Sequence, residues 1–112
     1  MEIKLNAKLS AYSNVNLKKL AEHTYLYYGT LTTRWDGTTA PYTQRIFVDG
    51  LLATDDPMAI VDIVLSSDWD LAVEQDQQWS NIKKITIEDN AVVAYSETAI
   101  DIPLNIVIKV TR

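Results

Sequence analysis

His23 is the only histidine in the chain, and there is no cysteine. Any Ser-His-Asp relay would therefore run through His23, which lies between Glu22 and Thr24. A general base needs a nucleophile within hydrogen-bond reach and a group that orients its far nitrogen. Nothing local supplies both, so His23 reads as a surface or interface residue. One histidine and no thiol exclude multi-histidine and thiolate metal sites within one copy, and disulfides as well. Carboxylates offer two further chemistries. A glycosidase needs two carboxyls about 5–10 Å apart across a cleft. The pairs Asp55-Asp56, Asp68/Asp70 and Glu88-Asp89 sit in turn or helix-start sequence, where capping and turn formation account for them. For calcium, Asp49, Asp55 and Asp56 could converge as hard oxygen ligands, but the Asp-x-Asp-x-Asp-Gly order of a dedicated loop is missing. No catalytic residue, cofactor or metal site is assigned, and the chain reads as a non-enzyme.

Aromatic residues remain as candidates for binding. Trp35 and Tyr42 flank the polar loop Asp36–Pro41. Aromatic faces stack on sugar rings and also form hot spots between proteins. In a sandwich the same rings plug the space between sheets. Packing is the first reading for both, and Trp35 and Tyr42 are the candidate ligand-binding residues. Tyr25, Tyr27 and Tyr28 cluster nearby, and Trp79 is expected in the core.

These residues must be held by strands. Ile3, Leu5, Ala7, Leu9 and Ala11 alternate with polar residues, the mark of a strand with one buried face. Val15–Glu22 is ambiguous between helix and strand. His23–Tyr28, Thr30–Thr32 and Thr43–Val48 are strand-like by side-chain type, and Asp49-Gly50 signals a turn. Pro57 forces a break, since it has no backbone donor. Ala59–Leu65 is the most apolar run and reads as a central strand, with Val61, Ile63 and Leu65 inward and Asp62 on a partly solvated face. Ser67-Asp68 can cap a helix over about 67–82, with Trp69, Ala72, Val73 and Trp79 on one stripe. Three further strands follow: around Ile85–Ile87, Val92–Tyr95 after a Glu88-Asp89-Asn90 turn, and Leu104–Val110 after Pro103. The expected fold is mainly β, an antiparallel β-sandwich with one short α-helix. Residues 29–112 form the sandwich domain. Residues 1–28 form an N-terminal strand or arm for oligomerisation or attachment.

The chain has 112 residues, enough for one domain with its own core. Its net charge of −5 repels phosphate backbones, and its basic residues are dispersed, so nucleic acid is an unexpected partner. No apolar run reaches the roughly 20 residues that span a bilayer, so no membrane partner is expected.

One ordered set of residues carries more information. It comprises Leu31, Trp35, Pro41-Tyr42-Thr43-Gln44, Ile46-Phe47-Val48, Gly50, Thr54-Asp55-Asp56-Pro57, Trp79-Ser80-Asn81-Ile82, Ile85 and Ile102-Pro103. In order and spacing it resembles a domain found in tail and minor structural proteins of phages and prophages of Gram-positive bacteria. The resemblance covers about Gly29 to Arg112. It implies a structural or accessory protein of a tail, baseplate or fibre, made in the host cytoplasm and residing in the virion. It implies self-assembly, with a trimer as the first expectation, contact with other virion proteins, and recognition of a host-surface glycan. No catalytic residues transfer with it. The alternative is a small phage-encoded protein that binds and inhibits a host factor.

Overall fold

A computed structural model describes residues 23–112. The expected strand Ile3–Ala11 and the ambiguous stretch Val15–Glu22 lie outside the described residues. The strands are β1 (Thr24–Leu31), β2 (Tyr42–Phe47), β3 (Ile60–Ile63), β4 (Ile82–Glu88), β5 (Ala91–Ser96) and β6 (Leu104–Thr111). A 3-10 helix occupies Ala53–Met58, and the α-helix α1 spans Trp69–Trp79. The strands form two three-stranded antiparallel sheets, ordered β1-β6-β3 and β2-β5-β4. The fold is thus mainly β, a small sandwich with one short helix. Among the described strands only β4 and β5 form a hairpin, and the other connections pass from one sheet to the other.

Strict alternation makes β6 the spine of the core. Leu104, Ile106, Ile108 and Val110 are all fully buried, because successive side chains of a strand point to opposite faces. Leu31 of β1 and Val92 and Ala94 of β5 meet them at 0 % exposure. Gly29 lets the sheets close. A Cβ there would stand 2.9 Å from Ile46 Cδ1 and 3.2 Å from Val48 Cγ2, so a side chain would force both of them to shift. The register of β4 shifts between Ile82 and Lys84. This bulge places Ile82 against the core together with Ile85 and Ile87, although the first two are an odd three positions apart. Asn90 closes the β4–β5 hairpin at φ 58, a left-handed position that asparagine tolerates.

Four expectations need correction. Ala59–Leu65 is not a central strand. β3 is shorter and, among the described strands, lies at an edge, with Val61 and Ile63 against the core and Leu65 exposed. The Ala-Ile-Val-Asp-Ile-Val-Leu run has the hydropathy of a buried strand, but only one of its faces is covered. Asp62 does face solvent, and its Oδ1 accepts from the Ile63 N–H at 2.8 Å. The helix is shorter than 67–82 and is capped by Asp68, whose Oδ2 accepts from the Leu71 N–H at 3.1 Å. Its covered face is also rotated. Gln75 is buried, Ala72 and Trp79 are half-buried, and Trp69 is 77 % exposed. At about 100° per residue, Trp69 lies roughly 80° round the helix from the centre of that face. Gln75 is held there because its Oε1 accepts from the Ser66 N–H at 2.9 Å, a polar anchor that hydropathy does not register. Finally, the division at 28/29 falls inside β1, which pairs with β6 along its whole length, from Thr24 opposite Thr111 to Leu31 opposite Leu104.

Candidate functional site

The loop between β1 and β2 holds both candidate binding aromatics, and most of it is fixed by Gln44. This side chain points inward from β2 and is 5 % exposed. Its Oε1 accepts from the Thr32 N–H at 2.6 Å, and its Nε2 donates to the Thr32 carbonyl at 2.9 Å. The amide therefore pairs with a peptide group as a neighbouring strand would, and ties the end of β1 to the opposite sheet. Beyond it, Asp36 and Thr43 exchange backbone hydrogen bonds, Asp36 N–H to Thr43 O at 2.8 Å and Thr43 N–H to Asp36 O at 3.0 Å. Gly37, at φ 116, takes the turn that follows.

Within this frame Trp35 is half-buried against the hydrophobic core, and its indole Nε1 is buried with no hydrogen-bond partner among the described residues. Tyr42 is half-buried, and its hydroxyl donates to the Thr38 carbonyl at 3.1 Å. Packing thus accounts for most of both rings. Trp35 also lines an open groove of about 650 Å³ with Thr32, Thr33, Arg34, Asp36, Gln44, Arg45 and Ile46. Tyr42 does not line it. Sequence reasoning missed Arg34 and Arg45 here, and no local signal marks them. Gln44 did carry a signal, since it alternates in phase with Ile46 and Val48 and so is a polar residue at an inward position.

The acidic segment proves to be a structural lock. Asp55 is 5 % exposed and receives the Arg112 guanidinium side-on, Nε to Oδ1 at 3.0 Å and Nη2 to Oδ2 at 2.7 Å. Oδ2 also accepts from the Leu52 N–H at 2.9 Å. Arg112 Nη2 donates to the Gly50 carbonyl at 2.9 Å, and the guanidinium lies 5.1 Å from the Tyr25 ring centre and 5.7 Å from that of Tyr27. The Arg112 hydrogen bonds hold the Asp55 carboxyl below the usual carboxylate range, against the opposing effect of burial. Gly50 must be glycine here, at φ 98 with a Cβ position 2.9 Å from the Tyr27 ring. Asp56 Oδ1 accepts from the Ile87 N–H at 2.6 Å, and Asp89 Oδ1 accepts from the Ala53 N–H at 2.8 Å. This arrangement accounts for Asp55 and Asp56 without calcium. Asp55 is already neutralised by a cation, and Asp56 is spent on a backbone amide.

The described residues contain no group of three or more acidic or histidine side chains placed to hold a metal ion. No helix among them is long and apolar enough to cross a membrane. His23 is exposed, and its carbonyl accepts from the Arg112 N–H at 2.9 Å. Comparison with known proteins finds no matching family model, no similar curated protein and no similar solved structure.

Proposed function

We propose that this chain is a structural or accessory protein of a phage or prophage particle, of tail, baseplate or fibre type, and that it works by assembly. The ordered motifs that resemble phage tail proteins support the setting. The observation that carries the mode of action is the run of exposed apolar side chains along the segment from Met58 to Val73. Ile60 is 61 % exposed, Leu65 45 % and Trp69 77 %, with Val64, Leu71 and Val73 also exposed. Scattered single apolar residues on a surface need no explanation, whereas a concentration of large ones marks contact with another chain. A tryptophan presented this way is a typical anchor of such contacts. The locked loops and tied-down acids leave surface contact as the activity best supported by the geometry.

The test is mass in solution. At micromolar concentration the full chain is expected as a homo-oligomer, a trimer first. Trp69→Ser combined with Leu65→Ser should weaken association at least about tenfold, since burying one such side chain contributes about 1.5–3 kcal/mol. Both positions are exposed, so circular dichroism should remain unchanged. A wild-type chain that stays monomeric at high micromolar concentration would sink this reading and favour the host-factor inhibitor.

A further inference from the structure

We infer that the edge of β2, unpaired beyond Thr43 among the described residues, is a docking site for an extended acidic segment of another protein, which joins the β2-β5-β4 sheet as an added strand. The inference goes beyond the particle reading, because the edge presents the same groups in any setting.

The backbone phase of β2 carries the argument. Val48 N–H donates to Asn90 O, on the β5 side. Thr43 exchanges its hydrogen bonds with Asp36, on the opposite side. Backbone groups alternate sides along an antiparallel strand. Even-numbered residues of β2 therefore serve the ladder with β5, and Thr43, Arg45 and Phe47 face outward. Asp36 occupies Thr43 only. The N–H and C=O groups of Arg45 and Phe47 have no backbone partner among the described residues. The 650 Å³ groove lies on this side, with Thr32–Asp36 as one wall and Gln44–Ile46 as the other. Asp36 already shows the binding mode: a stretch of chain pairing with this edge, which a peptide would continue towards Phe47.

Charge and the opposite edge narrow the occupant. Arg34 and Arg45 both line the groove, in a chain of net charge −5. Arg45 contacts Glu88 through Nε at 2.9 Å, both side chains about half-exposed or more, and Arg34 has no carboxylate partner among the described residues. The only carboxylate of the groove lining, Asp36, sits at its closed end. A residue added opposite Arg45 shares a face with it, so an acidic side chain fits there. The edge of β3 is treated differently. Val64 N–H donates to Asn105 O, so the Ile63 N–H faces outward, and the Asp62 carboxylate covers it. A charged residue spending itself on an edge amide is a device against strand addition. β2 has no such cover among the described residues.

The experiment uses the full chain labelled with nitrogen-15. The probe is a capped eight-residue peptide of alternating threonine and valine with one glutamate. Amide exchange at Arg45 and Phe47 should slow on adding this peptide. The same peptide with lysine for glutamate should bind more weakly, by up to about fivefold, and a version N-methylated at alternate amides should not bind. Phe47→Pro should abolish binding while leaving the β2–β5 ladder intact, because the lost N–H faces outward. Arg45→Glu should reverse the preference between the two peptides. The inference is overturned if millimolar peptide leaves Arg45 and Phe47 unprotected, if protection appears at Val61 and Ile63 instead, or if N-methylation has no effect.

Discussion

Asp55→Asn should lose about 2–3 kcal/mol of stability at pH 7, read as a lower midpoint in urea with unchanged slope. The substitution keeps the size of the side chain and removes its charge. It strips Arg112 of a side-on carboxylate and leaves a cation beside the Gly50 carbonyl and two tyrosine rings. The loss stays below that of a fully buried pair because the Arg112 side chain is 30 % exposed and recovers some hydration. The pH dependence identifies the cause. The folded carboxyl titrates below its unfolded value, which is near 3.9. Its contribution is therefore complete above that value and fades as pH falls through the folded one. The gap between wild type and Asp55→Asn should narrow below about pH 4 and stay constant from pH 6 to 8. A gap that fails to narrow at all as pH falls from about 5 to about 2.5 would mean that the carboxylate charge is not what stabilises the loop. Arg112→Lys should also lose stability, since an ammonium cannot reach both oxygens in parallel.

Gln44→Leu should cost a comparable amount, about 2–3 kcal/mol, although the new residue is more apolar and close in size. Leucine leaves the Thr32 N–H and C=O without the amide that now satisfies both. Thr32 is itself exposed and the pairing only partly buried, so water recovers some of the lost bonding and the cost stays at the low end of that range. Gln44→Glu should be worse at neutral pH. It keeps an acceptor for the N–H, loses the donor for the carbonyl, and places a charge at a position that is 5 % exposed. Hydrogen exchange separates this cause from general loosening. The Thr32 amide should exchange far faster in Gln44→Leu, while Ile106 and Ile108 in β6 change only with global stability. Equal acceleration at all three would discount the local pairing.

The strands were legible wherever one face is buried and the other wet. Leu104–Val110 alternates cleanly because β6 has core on one side only, and Val92–Tyr95 and Ile85–Ile87 follow the same rule. The helix was visible through its cap and misread in its facing. Asp68 announces its own role through a local hydrogen bond, whereas the covered side depends on Gln75 reaching Ser66, a contact that hydropathy weights negatively. β3 looked central because an exposed apolar face has the same composition as a covered one. Partnerships across long stretches of chain were invisible. Nothing in Thr54-Asp55-Asp56-Pro57 points to a partner at position 112, and nothing in Arg34 or Arg45 points to a shared groove. The loop aromatics were legible as residue types and ambiguous as roles, because a half-buried tryptophan satisfies both.

The strand order has a bearing on synthesis. β6 lies between β1 and β3, so among the described strands neither has a sheet neighbour until β6 has been made. The β4–β5 ribbon has a local turn and can form early, with β2 added from some 45 residues upstream. The nascent chain therefore emerges with half its sandwich assembled and the apolar faces of Leu31, Val61 and Ile63 still waiting. A truncation that stops after Ser96 should leave those segments unstructured and chaperone-bound, and adding residues 104–111 should close the fold in one step.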